Sequence, residues 1–360
     1  MRTIILFDDN STERNNIIVR LKTKLSKGVK IIPYEAGICP DKGQSYERQI
    51  ATWLEKTLKA EDIALIACDK ELGSYDKMPG LSATAITTVA REKGVPCCQY
   101  SRQPAEGGRD FSSFERLRRW GSDEITLEGV DLNGWVLQVA ALFNGFESIR
   151  KAYPKVAASK TPASALARIL EHAETESRIA LYGSGDQSFL VETLAVYDEK
   201  KKPDPVQVQM RMTRVLGNWL YLSILRFPGI LVNQVAAASY LNVAPAFFAK
   251  PAVQGLFTAA RYKGPFAELR PWWWRHSLDQ VLEKAGCKDG LALAKTHVKT
   301  AAPCLDPATN EPAGLYCMIT RAPVSAANSR GGISWFPSGA DLARIRKDKF
   351  DQITALVGMY

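Results

Sequence analysis

The sequence predicts an α/β fold: a doubly wound parallel sheet, followed by a mainly helical or α+β region. Three observations predict it. The run IALIACD, from Ile63 to Asp69, is short, apolar and closed by a carboxylate, as befits a strand buried on both faces. Two similar runs accompany it: Ile4 to Phe7 leads into Asp8 and Asp9, and Val95 to Tyr100 leads into Ser101. Segments with helical spacing lie between these runs, and strand–helix alternation is the pattern of a doubly wound sheet.

Taken in order, Thr3 to Phe7 is the first strand. Ser11 to Leu25 is a helix with Ser11 or Thr12 near its cap, since Ile17, Ile18, Leu21 and Leu25 recur at helical spacing. Val29 to Pro33 is a strand, Tyr46 to Leu58 a helix and Ile63 to Cys68 the third strand. Ala83 to Arg91 is a helix closed by Gly94, and Val95 to Tyr100 is the fourth strand. Gln103 to Gly108 has loop composition, Phe111 to Trp120 is a helix carrying Arg116, Arg118 and Arg119, and Ile125 to Leu127 is a short fifth strand. Three strand ends with oxygen-bearing side chains then meet at the crevice where open α/β sheets place their chemistry. Asp8, Asp9 and Asp69 offer the hard carboxylate oxygens that Mg²⁺ prefers.

On these residues, positions 1–130 resemble a response-regulator receiver domain. The family's acidic pair after its first strand is matched by FDDN, Phe7 to Asn10, and its phospho-acceptor aspartate by Asp69. The Ser or Thr that ends its fourth strand is matched by Ser101, and ELGSYDKMPGLSATAI looks like the loop and helix start that follow the acceptor. The resemblance implies that Asp69 is the nucleophile in phosphoryl transfer, with Ser101 bonding a phosphoryl oxygen. It implies that Asp8, Asp9, Asp69 and the backbone carbonyl of Glu71 hold Mg²⁺, and that a sensor kinase or other signalling protein is the partner in a two-component phosphorelay. One family residue has no counterpart: GSDEITLEG carries Glu128 where the family has lysine. A carboxylate there repels a phosphoryl group instead of attracting it. The expectation is therefore Mg²⁺ binding with weak or absent phosphorylation.

Beyond that region, Gly134 to Ala152 is an amphipathic helix with Leu137, Val139, Leu142, Phe143 and Phe146 on its apolar face. It reads as a connector or dimer helix, or as the last helix of the receiver-like domain. Lys155 to Pro162 is a linker and Ser164 to Ala173 a short helix. Arg178 to Tyr182 is a strand candidate leading into Gly183, Ser184 and Gly185. Such a turn can receive a phosphate on its amides, but without GxxxxGK or GxGxxG it also reads as a plain structural turn. Lys200 to Pro205 marks a boundary, giving a receiver-like domain at 1–130, a connector helix and small middle segment at 131–200, and a basic C-terminal output domain at 201–360.

In the last region Arg211 to Leu225 and Leu231 to Leu241 read as helices. NQVAAASYLNVAPAFFAKPAVQGLF has the outline of a helix-turn-helix. Pro245 to Ala249 lacks the Arg, Asn or Gln that base reading needs, so a packed core is the better reading. AARYKGPFAELRPWWWRH interleaves Arg261, Lys263, Arg270 and Arg275 with Trp272, Trp273 and Trp274, which suits a stacking surface for bases or a partner. Three successive tryptophans cannot share one helical face, so at least one is expected to meet solvent or a partner. The better reading is that two fill a core and one covers a domain seam. Cys287, His297, Cys304 and Cys317 could bind Zn²⁺, but long spacings and the lack of a CxxC knuckle argue against it. Ser338 reads as the cap of a last helix.

The net charge is +9. Residues 201–360 hold 20 Lys and Arg against 10 Asp and Glu, while residues 1–130 hold 20 against 19, so the C-terminal region supplies the positive balance. Such a region attracts nucleic acid or an acidic protein, or is only a solvated surface. No window reads as a membrane span, MRTIILFDDN does not read as a signal peptide, and seven scattered cysteines make no disulfide framework. A cytoplasmic homo-oligomer is expected. No GxSxG or HExxH is present. The expected function is signalling or regulation, with the receiver-like domain controlling a C-terminal module that binds nucleic acid or a protein. The alternatives are an enzyme acting on a nucleotide or nucleic acid through the C-terminal region, and a scaffold with an inactive receiver.

Overall fold

The computed structural model of the 360-residue chain describes residues 1–35, 44–73, 75, 79–101, 124–127, 131–184 and 204–357. The expected helix at 111–120, the loop at 103–108, Glu128, Gly185 and residues 200–203 lie outside the described residues. By contact the described residues form two compact units. One draws on 1–101, 124–159 and 204–218, the other on 160–184 and 219–357.

The first unit is α/β. Strands β1 (Arg2–Phe7), β2 (Lys30–Pro33), β3 (Asp62–Asp69), β4 (Cys97–Tyr100) and β5 (Ile125–Thr126) run parallel in the order β2-β1-β3-β4-β5. Past their first residues β1 and β3 are buried at every position, because helices cover both sheet faces. Helices α1 (Ser11–Lys24), α2 (Tyr46–Ala60), α3 (Ala83–Glu92) and α4 (Leu132–Val156) supply those layers. On one face Ile5, Phe7, Ile66 and Cys68 meet Trp53 and Leu54 of α2 and Ile86 and Val89 of α3. On the other, α4 lies against β3 and α1 against α4.

Local chemistry fixes where these helices begin. The Asn10 side chain accepts from the amides of Thr12 and Glu13, so Asn10 is the cap of α1 rather than Ser11 or Thr12. Ser45 and Ser82 cap α2 and α3 in the same way. The chain later returns to this unit as the helix Pro205–Trp219. Met210 packs on the core cluster, and Gly217 sits where a Cβ would lie 2.3 Å from Cε1 of Phe146. Gly94 combines φ +72° with a Cβ position 3.1 Å from Cα of Arg211, so a side chain there is strained twice.

The second unit mixes short strands and helices. A single π turn, Leu220–Ile224, opens its part of the returning helix. Strands β6 (Leu231–Asn233) and β7 (Trp272–Trp274) pair antiparallel. Strands β8 (Leu315–Cys317), β9 (Pro323–Val324), β10 (Ser329–Arg330) and β11 (Ala343–Arg346) form a sheet in the order β10-β11-β8-β9. Tyr182 anchors the unit. Its ring fills the space a side chain would need at Gly229 and Gly339, its hydroxyl donates to the carbonyl of Phe227 and accepts from the amide of Ile230, and its own carbonyl accepts from Nε1 of Trp219.

Three expectations are corrected here. Arg178 to Tyr182 is no strand: Glu176–Ala180 is a helical turn and Leu181–Gly183 a 3₁₀ turn, since Tyr182 is held by distant partners rather than by a sheet neighbour. The segment from Leu231 begins as β6 and becomes helical only at Gln234, where Asn233 caps it. Ser338 does not cap the last helix, Lys347–Val357. Its amide donates to the Ser184 hydroxyl instead. Among the described residues no helix is long and apolar enough to cross a membrane.

Candidate functional site

Parallel strands end at a common edge, and β1 and β3 are hydrogen-bonded neighbours with Phe7 opposite Cys68. The next residue of each chain segment is therefore an aspartate beside an aspartate. Asp8, Asp9 and Asp69 bring one carboxylate oxygen each to within 4.8 Å of one another. Asp8 and Asp69 have no exposed surface, while Asp9 is half-buried.

Each buried carboxylate is wired into the backbone around it. Asp8 Oδ1 accepts from the amide of Asn10 at 2.9 Å, and Oδ2 accepts from the Tyr100 hydroxyl at 2.8 Å. Asp69 Oδ1 accepts from the amide of Glu71 at 3.1 Å. On the far side of Asp8, its amide donates to the Tyr75 hydroxyl and its carbonyl accepts from Nη1 of Arg14 at 3.0 Å. Burial, and after it the charge of Asp8, push the Tyr100 phenol well above its ordinary value, so the hydroxyl stays protonated and donates. Burial does the same for Tyr75.

Two buried carboxylates and a third close by repel one another, and a divalent cation is the simplest neutralising partner. The donor set, all carboxylate oxygen, is of the hard type that Mg²⁺ and Ca²⁺ take. In chemistry and spacing the residues present fit such an ion. Glu71 contributes its amide to Asp69 and bridges to Ser82.

Ser101 directly follows β4. The residue opposite Asp69 in the sheet is Tyr100, and no hydrogen bond joins Ser101 to the three aspartates. Successive strand residues point to opposite faces, so a difference of one residue decides which side chain enters the crevice. Tyr100 went unread because a tyrosine ending an apolar run looks like core. It is core as well, with its ring 5.4 Å from that of Trp135.

The other candidate residues lie in the second unit. Gly183 closes the 3₁₀ turn after Leu181, and the Ser184 hydroxyl donates to the carbonyl of Leu181 and accepts from the amide of Ser338. These contacts give the turn a structural task. The expected solvent-facing tryptophan is corrected: Trp272, Trp273 and Trp274 are 1%, 0% and 7% exposed. They form a strand, not a helix, so side chains leave on both faces, and both faces are covered. Nε1 of Trp272 donates to the carbonyl of Leu225, Trp273 packs edge-on against Phe248, and Trp274 lies against His172 and Tyr262. Arg261 and Arg270 sit over the rings of Trp273 and Trp272, Arg275 pairs with Asp341, and Lys263 is exposed. Cys287, His297, Cys304 and Cys317 do not form a metal-ligand group among the described residues, and Cys317 Sγ instead faces the amides of Thr320 and Arg346.

A five-stranded parallel sheet with helices on both faces and an acidic crevice at its carboxyl edge is thus what the first unit presents. No family model, curated protein or solved structure matches this chain.

Proposed function

We propose that the chain is a signalling protein whose receiver-like N-terminal unit binds a divalent cation, Mg²⁺ by resemblance, and controls a C-terminal module that engages a partner protein. The observation that carries the reading is the aspartate trio at the shared edge of β1 and β3. When bound, the ion supplies the positive charge that lets an anionic group approach three carboxylates. The chain's own residues do the rest. Asp8 and Asp9 hold, Asp69 faces the same space from the neighbouring strand, Tyr100 orients Asp8 through Oδ2, and Arg14 ties down the backbone of Asp8. Glu128 stands in sequence where a receiver has its lysine, so phosphoryl transfer to Asp69 is weak or absent in this reading. A protein partner is favoured over nucleic acid, because the tryptophans that would stack on bases are buried and two of the nearby arginines lie on their rings.

The test uses the full chain. Calorimetry with MgCl₂ should show one saturable site that disappears in Asp8→Asn and Asp69→Asn. Incubation with acetyl phosphate and Mg²⁺, read by intact mass, should leave most of the protein unmodified. A near-stoichiometric phosphoryl adduct lost in Asp69→Asn would overturn the inactive-receiver part. Absence of any Mg²⁺ binding would overturn the cation site.

A further inference from the structure

The opposite edge of the same sheet holds a second site. At the amino ends of the strands lies a cavity of about 580 Å³, within the range of small-molecule pockets. Its walls are the start of β1, the turn between α1 and β2, and the C-terminal half of α4. Four cations line it, Arg2, Lys27, Arg150 and Lys151, against one carboxylate, Glu147.

That carboxylate is already satisfied. Glu147 is 6% exposed and is held by Nη2 of Arg2 at 2.6 Å and by Nε and Nη2 of Arg150 at 3.0 Å each. Its charge is spent on two arginines, and Arg2 is held by Asp62 as well, which fixes both guanidinium groups at the wall. Lys27 and Lys151 are exposed and have no acidic partner among the described residues. Phe143 and Val29 add an apolar wall.

We infer that this cavity binds a small molecule bearing a polyphosphate group. With Arg2 and Arg150 paired to Asp62 and Glu147, Lys27 and Lys151 supply the surplus positive charge; a single carboxylate would leave half of it unmatched, whereas a diphosphate meets it in full. Lysines serve as point charges for phosphate, and guanidinium groups already held in place lose little entropy on binding. The cavity's volume leaves room beyond the phosphates, and Phe143 and Val29 offer that room an apolar surface. The six residues of β1 separate this site from the aspartates by roughly 17 Å of strand, so the inference does not depend on what the aspartates bind.

The experiment is calorimetry on the full chain in EDTA, with pyrophosphate and with ATP as separate titrants. Saturable one-to-one binding is expected for both, weakening as NaCl rises. Tighter binding of ATP than of pyrophosphate would place a nucleotide in the cavity, and equal binding a plain phosphate compound. The double variant Lys27→Glu/Lys151→Glu changes only exposed side chains and should weaken binding at least tenfold, while Asp69→Asn should leave it unchanged. Failure of both titrants to bind, or undiminished binding in the double variant with its thermal melt intact, would overturn the proposal.

Discussion

Tyr100 shows how much one hydroxyl decides. It fixes Asp8 on one side and packs on Trp135 on the other, at the strand position directly beside Asp69. Tyr100→Phe removes the bond and leaves a buried carboxylate one donor short, which should cost about 1–3 kcal/mol in a denaturant melt without ion. Added divalent ion should recover part of that loss, because the freed Asp8 oxygen becomes available to it. Asp306 is the matching case in the second unit. Its burial raises the carboxyl pKa, but donors from the amides of Ser325 and Ala308 and from the Asn328 side chain outweigh that and bring it below the usual value. A folded pKa below the unfolded one means stability that is present above about pH 4 and lost as the pH falls through the lowered value. Asp306→Asn should therefore flatten the acid limb of stability against pH. An unchanged acid limb would remove Asp306 from that account.

At the scale of elements, long buried runs were legible and short ones were not. The run from Ile63 to Asp69 could only be a strand between covered faces, and it lies within the eight residues Asp62–Asp69. The aspartate trio was legible for the same reason, since strand ends in a parallel sheet share an edge. Arg178 to Tyr182 has too few apolar positions for periodicity to choose a conformation, and its fate rests on Gly229 and Gly339, far along the chain. For the tryptophan triplet a core was the better reading, and the expectation of a solvent-facing ring came from taking helical geometry where the residues form a strand. Gly217 offers a test that sets packing against propensity. Alanine is the better helix former by about 1 kcal/mol, yet its methyl would meet the buried Phe146 ring at 2.3 Å. Gly217→Ala should lower stability by about 1–3 kcal/mol, as overpacking does, and a stabilised variant would show that the helix Pro205–Trp219 can shift.

For the whole molecule, the main lesson is that the first unit is not one stretch of chain. The helix Pro205–Trp219 belongs to it, with Met210 on its core and Gln209 bonded to the carbonyl of Arg150. Composition could draw boundaries near 130 and 200, because linkers are rich in Lys and Pro. It could not show which segments return. A fragment ending at residue 130 lacks α4 and this helix, and so exposes apolar surface on β3 and where Met210 packs on the core cluster that the full chain covers. It should melt less cooperatively and bind a hydrophobic dye that the full chain excludes. A fragment as cooperative as the full chain would show that these helices add little.

The spacing of the three aspartates also has a mechanical side. Calcium–oxygen bonds of about 2.3–2.6 Å let oxygens on opposite sides of the ion stand close to 5 Å apart, while magnesium–oxygen bonds of about 2.1 Å allow little more than 4 Å. The three aspartate oxygens lie within 4.8 Å of one another, a ceiling that admits either ion. The smaller ion holds its ligands closer together, and half-buried Asp9, next to the cap of α1, has more freedom to move than its buried neighbours. Mg²⁺ would then draw on the first turn of that helix more than Ca²⁺ would. If the proposed ion binds, hydrogen exchange at Thr12 and Glu13 should slow more with Mg²⁺ than with Ca²⁺, a difference set by the radius of the ion rather than its charge.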